Sequence, residues 1–346
     1  YYNSMNRNKR SITLDLQSAE GVQIIYDLLP QFDVVIHNFK HGGADKLGLG
    51  YDKLKSIKPD LIYCSVAGYN SDTPEAKRPG YDLVIQAEAG LMAINGEEGT
   101  PPLKFGVAVV DLMTGMYAAQ AVLAALYRRS RNGRGRQIEL ALYDCGITIN
   151  GYYALDAMLL GHDTQRYGNA HPSIVPYGLF EAADGPLIIG VGNNRQFEAF
   201  CRHVIDRPDI FEDPRYATNV ERARNRLEVL PMLKQIIASH PRQQLLDRMH
   251  AVGIPCGEVA GLHEALTSQR TQQAGMFHQM PHPVAGQTWV FAPPYRLDGQ
   301  RLPIRNAPPT LGEATREVLQ QLLSMSDAQL QALKDKGVLT LPEQQG

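Results

Sequence analysis

The chain has 346 residues, 44% of them hydrophobic, which is enough to bury a sizeable core in about two domains. Its 34 Lys and Arg are balanced by 36 Asp and Glu, which argues against a broad nucleic-acid or anionic-membrane surface. No run of about 18 apolar residues is present to span a bilayer, and no signal-peptide pattern is visible. Cys64, Cys145, Cys201 and Cys256 lie far apart without a C-x-x-C pair, so reduced thiols and a cytoplasmic location are expected.

Ile12, Leu14 and Leu16 alternate along residues 11–16, which predicts a strand. Ser18 then precedes a helical stripe of Val22, Ile25, Leu28 and Leu29, with Glu20 in the first turn. Val34-Val35-Ile36 reads as a buried strand, followed by a turn at Gly42-Gly43. A helix is predicted around Tyr51–Ile57, ending before Pro59, and a second buried strand over Leu61–Val66. Strands and helices alternating over short links predict an α/β fold with a parallel sheet and right-handed crossovers. Ligands of such sheets bind beyond the carboxyl ends of the strands. Here those ends are Leu16-Gln17, His37 to Lys40 and Val66 to Gly68.

Residues 69–106 are loop-rich, with a helix predicted at 82–92. Val107 to Val110 looks strand-like and leads into Asp111, which opens a long Ala-rich helix closing on Arg128-Arg129 and the Gly133/Gly135 turn. Residues 137–142 read as a strand and 144–160 as one apolar helix. The turn-rich stretch 161–176 reads as a linker. A strand at 186–191, amphipathic helices between 196 and 249, and a return to strand or turn at 254–257 predict a smaller α/β domain. A crossing segment and two helices, 312–323 and 327–336, then return to the first domain. The expected division is 1–165, 176–285 and 286–346.

No H-E-x-x-H, paired cysteines, P-loop or G-x-S-x-G elbow is present, so no metal site is expected. Gly190-Val-Gly192 lacks the third glycine of a dinucleotide fingerprint and reads as a tight turn. Asp111 suits a helix N-cap. A carboxylate held ionised at a helix N-terminus is also a candidate nucleophile toward an activated carbonyl. Arg78-Pro-Gly-Tyr81-Asp82 reads as a turn followed by a capping aspartate. Asn6 to Arg10, with Lys40, His41 and Lys46, is either solvated charge or the rim of a phosphate site.

Taken together, MNRNKRSITLDL, HNF, RPGYDLVIQAEAGLM and VAVVDLMTGMYAAQAVLAAL resemble the class III CoA-transferases, the carnitine and bile-acid CoA-transferase family. The likeness continues through GIPCGEV to PPTLGEAT. RYGNAHPSIVPYGLFEAADGPLIIGVGNNRQF is similar to the succinyl-CoA:glutarate CoA-transferase branch. The resemblance implies Asp111, within DLMTGM, as the catalytic carboxylate. It implies coenzyme A contacts at Leu14, Asp15, Leu16, Gln17, Asn38, Phe39, Lys40, Lys46, Tyr81 and Asp82. It implies a Rossmann-like large domain built from both chain ends, a smaller α/β domain, and an interlocked homodimer of ring-like subunits. No tightly bound cofactor is expected; the coenzyme A thioester is a substrate, alongside a free carboxylic acid. No nucleic-acid or membrane partner is implied.

Some positions depart from the family pattern. Gln17 stands where some relatives carry Lys. Gly168 to Ser173 occupies the place of a Gly-rich loop that shields the site in formyl-CoA transferases. His171 and Ser173 there either meet a second carboxylate of the acid or belong to a plain linker. The chain opens at Tyr1 without Met, and the resemblance implies a preceding segment with the first strand and part of the coenzyme A loop. Two rival readings are a 2-methylacyl-CoA racemase and an inactive CoA-binding partner subunit. The racemase needs a base where Tyr81 stands, and a phenol is a poor base at neutral pH. The intact Asp111 argues against the inactive partner.

Overall fold

A computed structural model describes residues 1–342. The chain divides into two compact units. Unit 1 comprises Tyr1–Leu91, Gly106–Gly151 and the chain from Ala265 onward; unit 2 comprises Met92–Phe105 and Tyr152–Glu264. The second unit therefore begins and ends earlier than the expected 176–285, and it takes in residues 92–105.

Unit 1 opens with an extended segment and helix α1 (Ala19–Leu28), whose N-cap Ser18 accepts from the Gly21 N–H. Strand β1 (Val34–His37), the short helix α2 (Gly43–Lys46), α3 (Tyr51–Ile57) and β2 (Ile62–Ala67) follow. Helix α4 (Asp82–Glu88) precedes the 24-residue helix α5 (Val109–Asn132). Gly133 ends α5 in the left-handed conformation that glycine adopts without steric cost. Strand β3 (Arg136–Ala141) and α6 (Leu142–Ile149) follow. The sheet order is β1-β2-β3, all parallel, with Val34 opposite Ile62 and Ile62 opposite Arg136.

Four expectations for this part of the chain are corrected. Residues 11–16 are extended but join no sheet. Isolated bonds, Ala314 N–H to Ser11 O (2.9 Å) and Asp15 N–H to Val338 O (2.7 Å), hold them instead, and the Thr13 N–H goes to a side chain, Thr315 Oγ1 (3.1 Å). The alternation of Ile12 and Leu14 serves a clamp against the last helices rather than a ladder. Second, β1 is not buried: among the described residues it is an edge strand, and Ile36 is 59% exposed. Third, Val107 to Val110 is no strand, because α5 already begins at Val109 and Asp111 lies inside its first turn. Fourth, the stretch 144–160 is two helices, broken where Gly151 takes φ +56° and the Asn150 amide donates to Ala89 O (2.8 Å) and Gly146 O (3.1 Å).

Unit 2 holds α7 (Tyr152–Leu160) and an antiparallel sheet of β4 (Tyr177–Ala182), β5 (Gly185–Gly190) and β6 (Cys256–Glu258), with β5 central. Helices α8 (Asn219–Arg224), α9 (Arg226–Ala238) and α10 (Arg242–Ala251) belong to the same unit. Leu187, Ile189, Phe197, Leu233, Ile237 and Met249 are fully buried in one core. Arg222 is buried among them, with Phe197 4.0 Å beneath its guanidinium. It donates to the carbonyls of Val175 (2.6 Å) and Tyr216 (2.8 Å), and burial lowers its pKa to about 10.

The chain then returns to unit 1 as a hairpin, β7 (Phe277–His282) and β8 (Gly286–Phe291), and the helices α11 (Thr315–Leu323) and α12 (Asp327–Asp335). Val318, Leu319 and Leu330 of these helices form one buried cluster with Ile24 and Leu28 of α1.

Candidate active site

Helix α5 has no cap of its own, since its N-cap residue is Ala108. Asp82, 28 residues before Val110, supplies the acceptor. Its Oδ1 receives the N–H groups of Val110 (2.8 Å) and Asp111 (3.3 Å), and its Oδ2 receives the Gln86 amide (2.6 Å). One carboxylate thus ties the first turns of α4 and α5 together. Asp111 is left with its carboxyl turned to a cavity of about 770 Å³. The helix-end donors expected to hold it ionised serve Asp82 instead. Burial, with the like charge of Asp82 second, raises the Asp111 pKa above its ordinary value.

The cavity has the position expected of a parallel sheet. It opens at the carboxyl ends of β1 and β2, between residues 36–41 and 66–68, and at the start of α5. Asp111, Thr114, Gly115 and Ala118 line it from one face of α5 at i, i+3, i+4 and i+7. Apart from Asp111 these side chains are small, so the helix backbone itself approaches the space. A glycine inside a helix costs about 1 kcal/mol against alanine, and at Gly115 the structure leaves nothing within 4 Å of an added Cβ. On the opposite rim the backbones of Gly68 and Gly80 touch: a Cβ on Gly68 would stand 2.8 Å from the Gly80 Cα.

Lys40, Lys77 and Arg78 place positive charge around the cavity, which suits an anionic ligand. Arg78 pairs with Glu88, whose Oε2 also accepts from the Tyr69 hydroxyl (2.7 Å), and its guanidinium lies 5.3 Å from the Tyr69 ring centroid. The Tyr69 hydrogen bond, with Arg78 assisting, holds Glu88 below the usual carboxylate range. His37 closes β1 and lines the same cavity. Its Nε2 is 2.8 Å from the Tyr63 hydroxyl, and its Nδ1 accepts from the Phe39 N–H (3.1 Å).

Of the residues singled out by resemblance, Asp111, Asn38, Phe39, Lys40 and Tyr81 share this cavity. Leu14 to Gln17 and Lys46 do not line it. Leu14 packs toward the C-terminal helices, the Asp15 carboxylate receives the Gln17 N–H (2.9 Å), and Lys46 is exposed at the end of α2. Asp82 caps α5 rather than lining the cavity. His171 and Ser173 belong to unit 2. There the Ser173 N–H donates to His171 Nδ1 (3.1 Å), and Arg226 donates to the carbonyls of His171 (2.8 Å) and Pro172 (3.0 Å). Lys77 and the Thr114, Gly115, Ala118 face escaped the sequence reading; the i+3, i+4, i+7 spacing of small residues after Asp111 was the available signal.

By length and composition α5 is long and apolar enough to cross a membrane, which the sequence had not indicated. In the structure it packs on β2, β3 and α6, burying Val110, Thr114, Ala118 and Ala125.

Residues 1–315 match the model of CoA-transferase family III. The chain is 34% identical over 339 residues to a succinyl-CoA:glutarate CoA-transferase of Mus musculus, covering 98% of this chain and 78% of that protein. It is 37% identical over 276 residues to a succinate–glutarate CoA-transferase of Agrobacterium fabrum, covering 80% and 69%. A crystal structure of a CAIB/BAIF family protein from Brucella suis superposes with a TM-score of 0.80 at 35% identity, covering 93% of this chain and 84% of that one. A mixed α/β chain with its aspartate-floored, cation-rimmed cavity, matched over this length, belongs to CoA-transferase family III and is an enzyme of that family.

Proposed function

We propose that this enzyme moves coenzyme A from succinyl-CoA to a second dicarboxylic acid, with Asp111 as nucleophile. The observation that carries the reading is the Asp111 carboxyl, raised in proton affinity and set on the first turn of α5 in a cavity ringed by Lys40, Lys77 and Arg78. A carboxylate of higher proton affinity is the better nucleophile once ionised.

The Asp111 carboxylate attacks the thioester carbonyl and expels the coenzyme A thiolate, forming a mixed anhydride. The thiolate attacks the aspartyl carbonyl of that anhydride, releasing succinate and leaving an aspartyl-CoA thioester. The acceptor carboxylate attacks this thioester, expelling the thiolate again and forming the second anhydride. Attack of the thiolate on the acceptor's acyl carbonyl gives the new acyl-CoA and regenerates Asp111. Each step replaces one difficult exchange by an easier one, and water has to be kept from the anhydrides. Asn38, Phe39, Lys40 and Tyr81 hold the coenzyme A moiety. His171, with Nδ1 accepting from Ser173, carries its proton on Nε2 when neutral, a donor suited to a carboxylate.

The working form is a homodimer in this reading. Helix α7 buries none of its residues, and Met158 and Leu159 are 82% and 85% exposed. On α5, Leu112, Met116, Leu123 and Tyr127 are exposed as well. Apolar surface on this scale marks an interaction face.

The test mixes the protein with succinyl-CoA and glutarate, malate, itaconate or oxalate, and detects new thioesters by mass. A new thioester that is absent with Asp111→Asn supports the reading and names the acceptor. Coenzyme A binding without any new thioester sinks it.

A further inference from the structure

We propose that His37 is a positioning residue that fixes the coenzyme A loop, Asn38 to Lys40, in its working place. The proposal rests on the reading that this loop holds coenzyme A.

The loop leaves the edge strand β1 and walls both the Asp111 cavity and a neighbouring one of about 590 Å³. Its backbone past the strand is held by the Phe39 N–H on His37 Nδ1 (3.1 Å) and by the Gly43 N–H on Lys40 O (2.7 Å). The Phe39 ring also stacks on the imidazole at 5.2 Å. The other ring nitrogen is anchored in the sheet. Tyr63 is buried and donates its hydroxyl proton to Leu49 O (3.0 Å), so its oxygen is left to accept from His37 Nε2–H (2.8 Å). Both bonds are satisfied by one neutral tautomer alone. Burial favours that neutral form by lowering the His37 pKa, with Asp45 opposing. The imidazole therefore relays the rigidity of β2 to a loop with few bonds of its own, and a preorganised loop loses less entropy when a ligand binds.

The test uses the full chain, with coenzyme A titrated calorimetrically and kinetics run with succinyl-CoA and the acceptor identified above. His37→Gln loses the acceptor for Phe39 N–H. It is expected to raise the coenzyme A Kd and the succinyl-CoA KM about five- to ten-fold, leaving kcat and the acceptor KM within about two-fold. His37→Asn offers an oxygen to the N–H two residues on, as in an Asx turn, but not the bond to Tyr63, and is expected to bring the KM back to about three-fold above wild type. Equal rises in both variants, or a loss of kcat without a KM change, overturn the positioning role. Should His37→Gln not fold, as judged by its melting curve, Tyr63→Phe carries the test, with an expected rise of about three-fold in succinyl-CoA KM alone; no rise overturns the proposal. Phe39→Ala and Lys40→Ala separate the two levels. If neither weakens coenzyme A, the loop reading fails and this inference with it. If both weaken it and His37→Gln does not, only the role of His37 fails.

Discussion

Asp82 and Asp111 are both acidic residues near helix starts, yet the structure gives them opposite tasks. Asp82 spends its oxygens on backbone N–H groups and Gln86, while Asp111 keeps its carboxyl for the cavity. The apolar run before Asp111 put a helix start near it, and the structure sets Asp111 inside the first turn of that helix. The cap of that helix was not legible, because the capping side chain sits 28 residues before Val110 on another helix. A carboxyl whose folded pKa is raised binds protons more readily folded than unfolded. Its contribution to stability is complete below the unfolded pKa and is lost as pH rises through the folded one. Asp111→Asn should therefore raise the melting temperature at pH 7 while lowering kcat by about a thousand-fold or more; calorimetry and turnover check both. Because the charge of Asp82 adds to the raised pKa, Asp82→Asn should shift the acid limb of the kcat/KM profile to lower pH. A limb that stays in place would contradict that electrostatic account.

At the scale of elements, local signals succeeded where the partner is local. Ser18 caps α1, Gly133 closes α5, and Ile62 to Cys64 are buried in the central strand as their apolar run implies. They failed where burial depends on a neighbour. Val34 to Ile36 is as apolar as a central strand but lies at the sheet edge. Unit 2 depends on one residue that composition would place at the surface. Arg222 bridges the carbonyls of Val175 and Tyr216 inside the core. Arg222→Met strips those carbonyls of their donor and should cost about 3 kcal/mol in urea unfolding. At the other end of the chain Ser326 and Gln329 form a reciprocal capping box at the start of α12. Ser326→Ala should cost about 1 kcal/mol.

At the scale of the molecule, the exposed apolar residues of α7 and α5 are what the proposed homodimer rests on. Sedimentation equilibrium at micromolar concentration is expected to give twice the chain mass, and Leu159→Glu to halve it. A wild-type monomer that turns over would remove the need for a second copy. Joining residues 11–15 to residues 314–340 is a feature of the same scale that no local pattern encodes. Thr13 bonds to Thr315 and Thr340, 302 and 327 residues further on, and Asp15 bonds to Val338. The order of synthesis gives this clamp a cost. Residues 13 and 15 have to wait until Thr315, Val338 and Thr340 have been made before their partners exist. Unit 2, whose residues run from Met92 to Glu264, can meanwhile close its own core. Nascent chains arrested before Thr315 should thus carry a protease-resistant second unit while residues 11–15 stay unprotected.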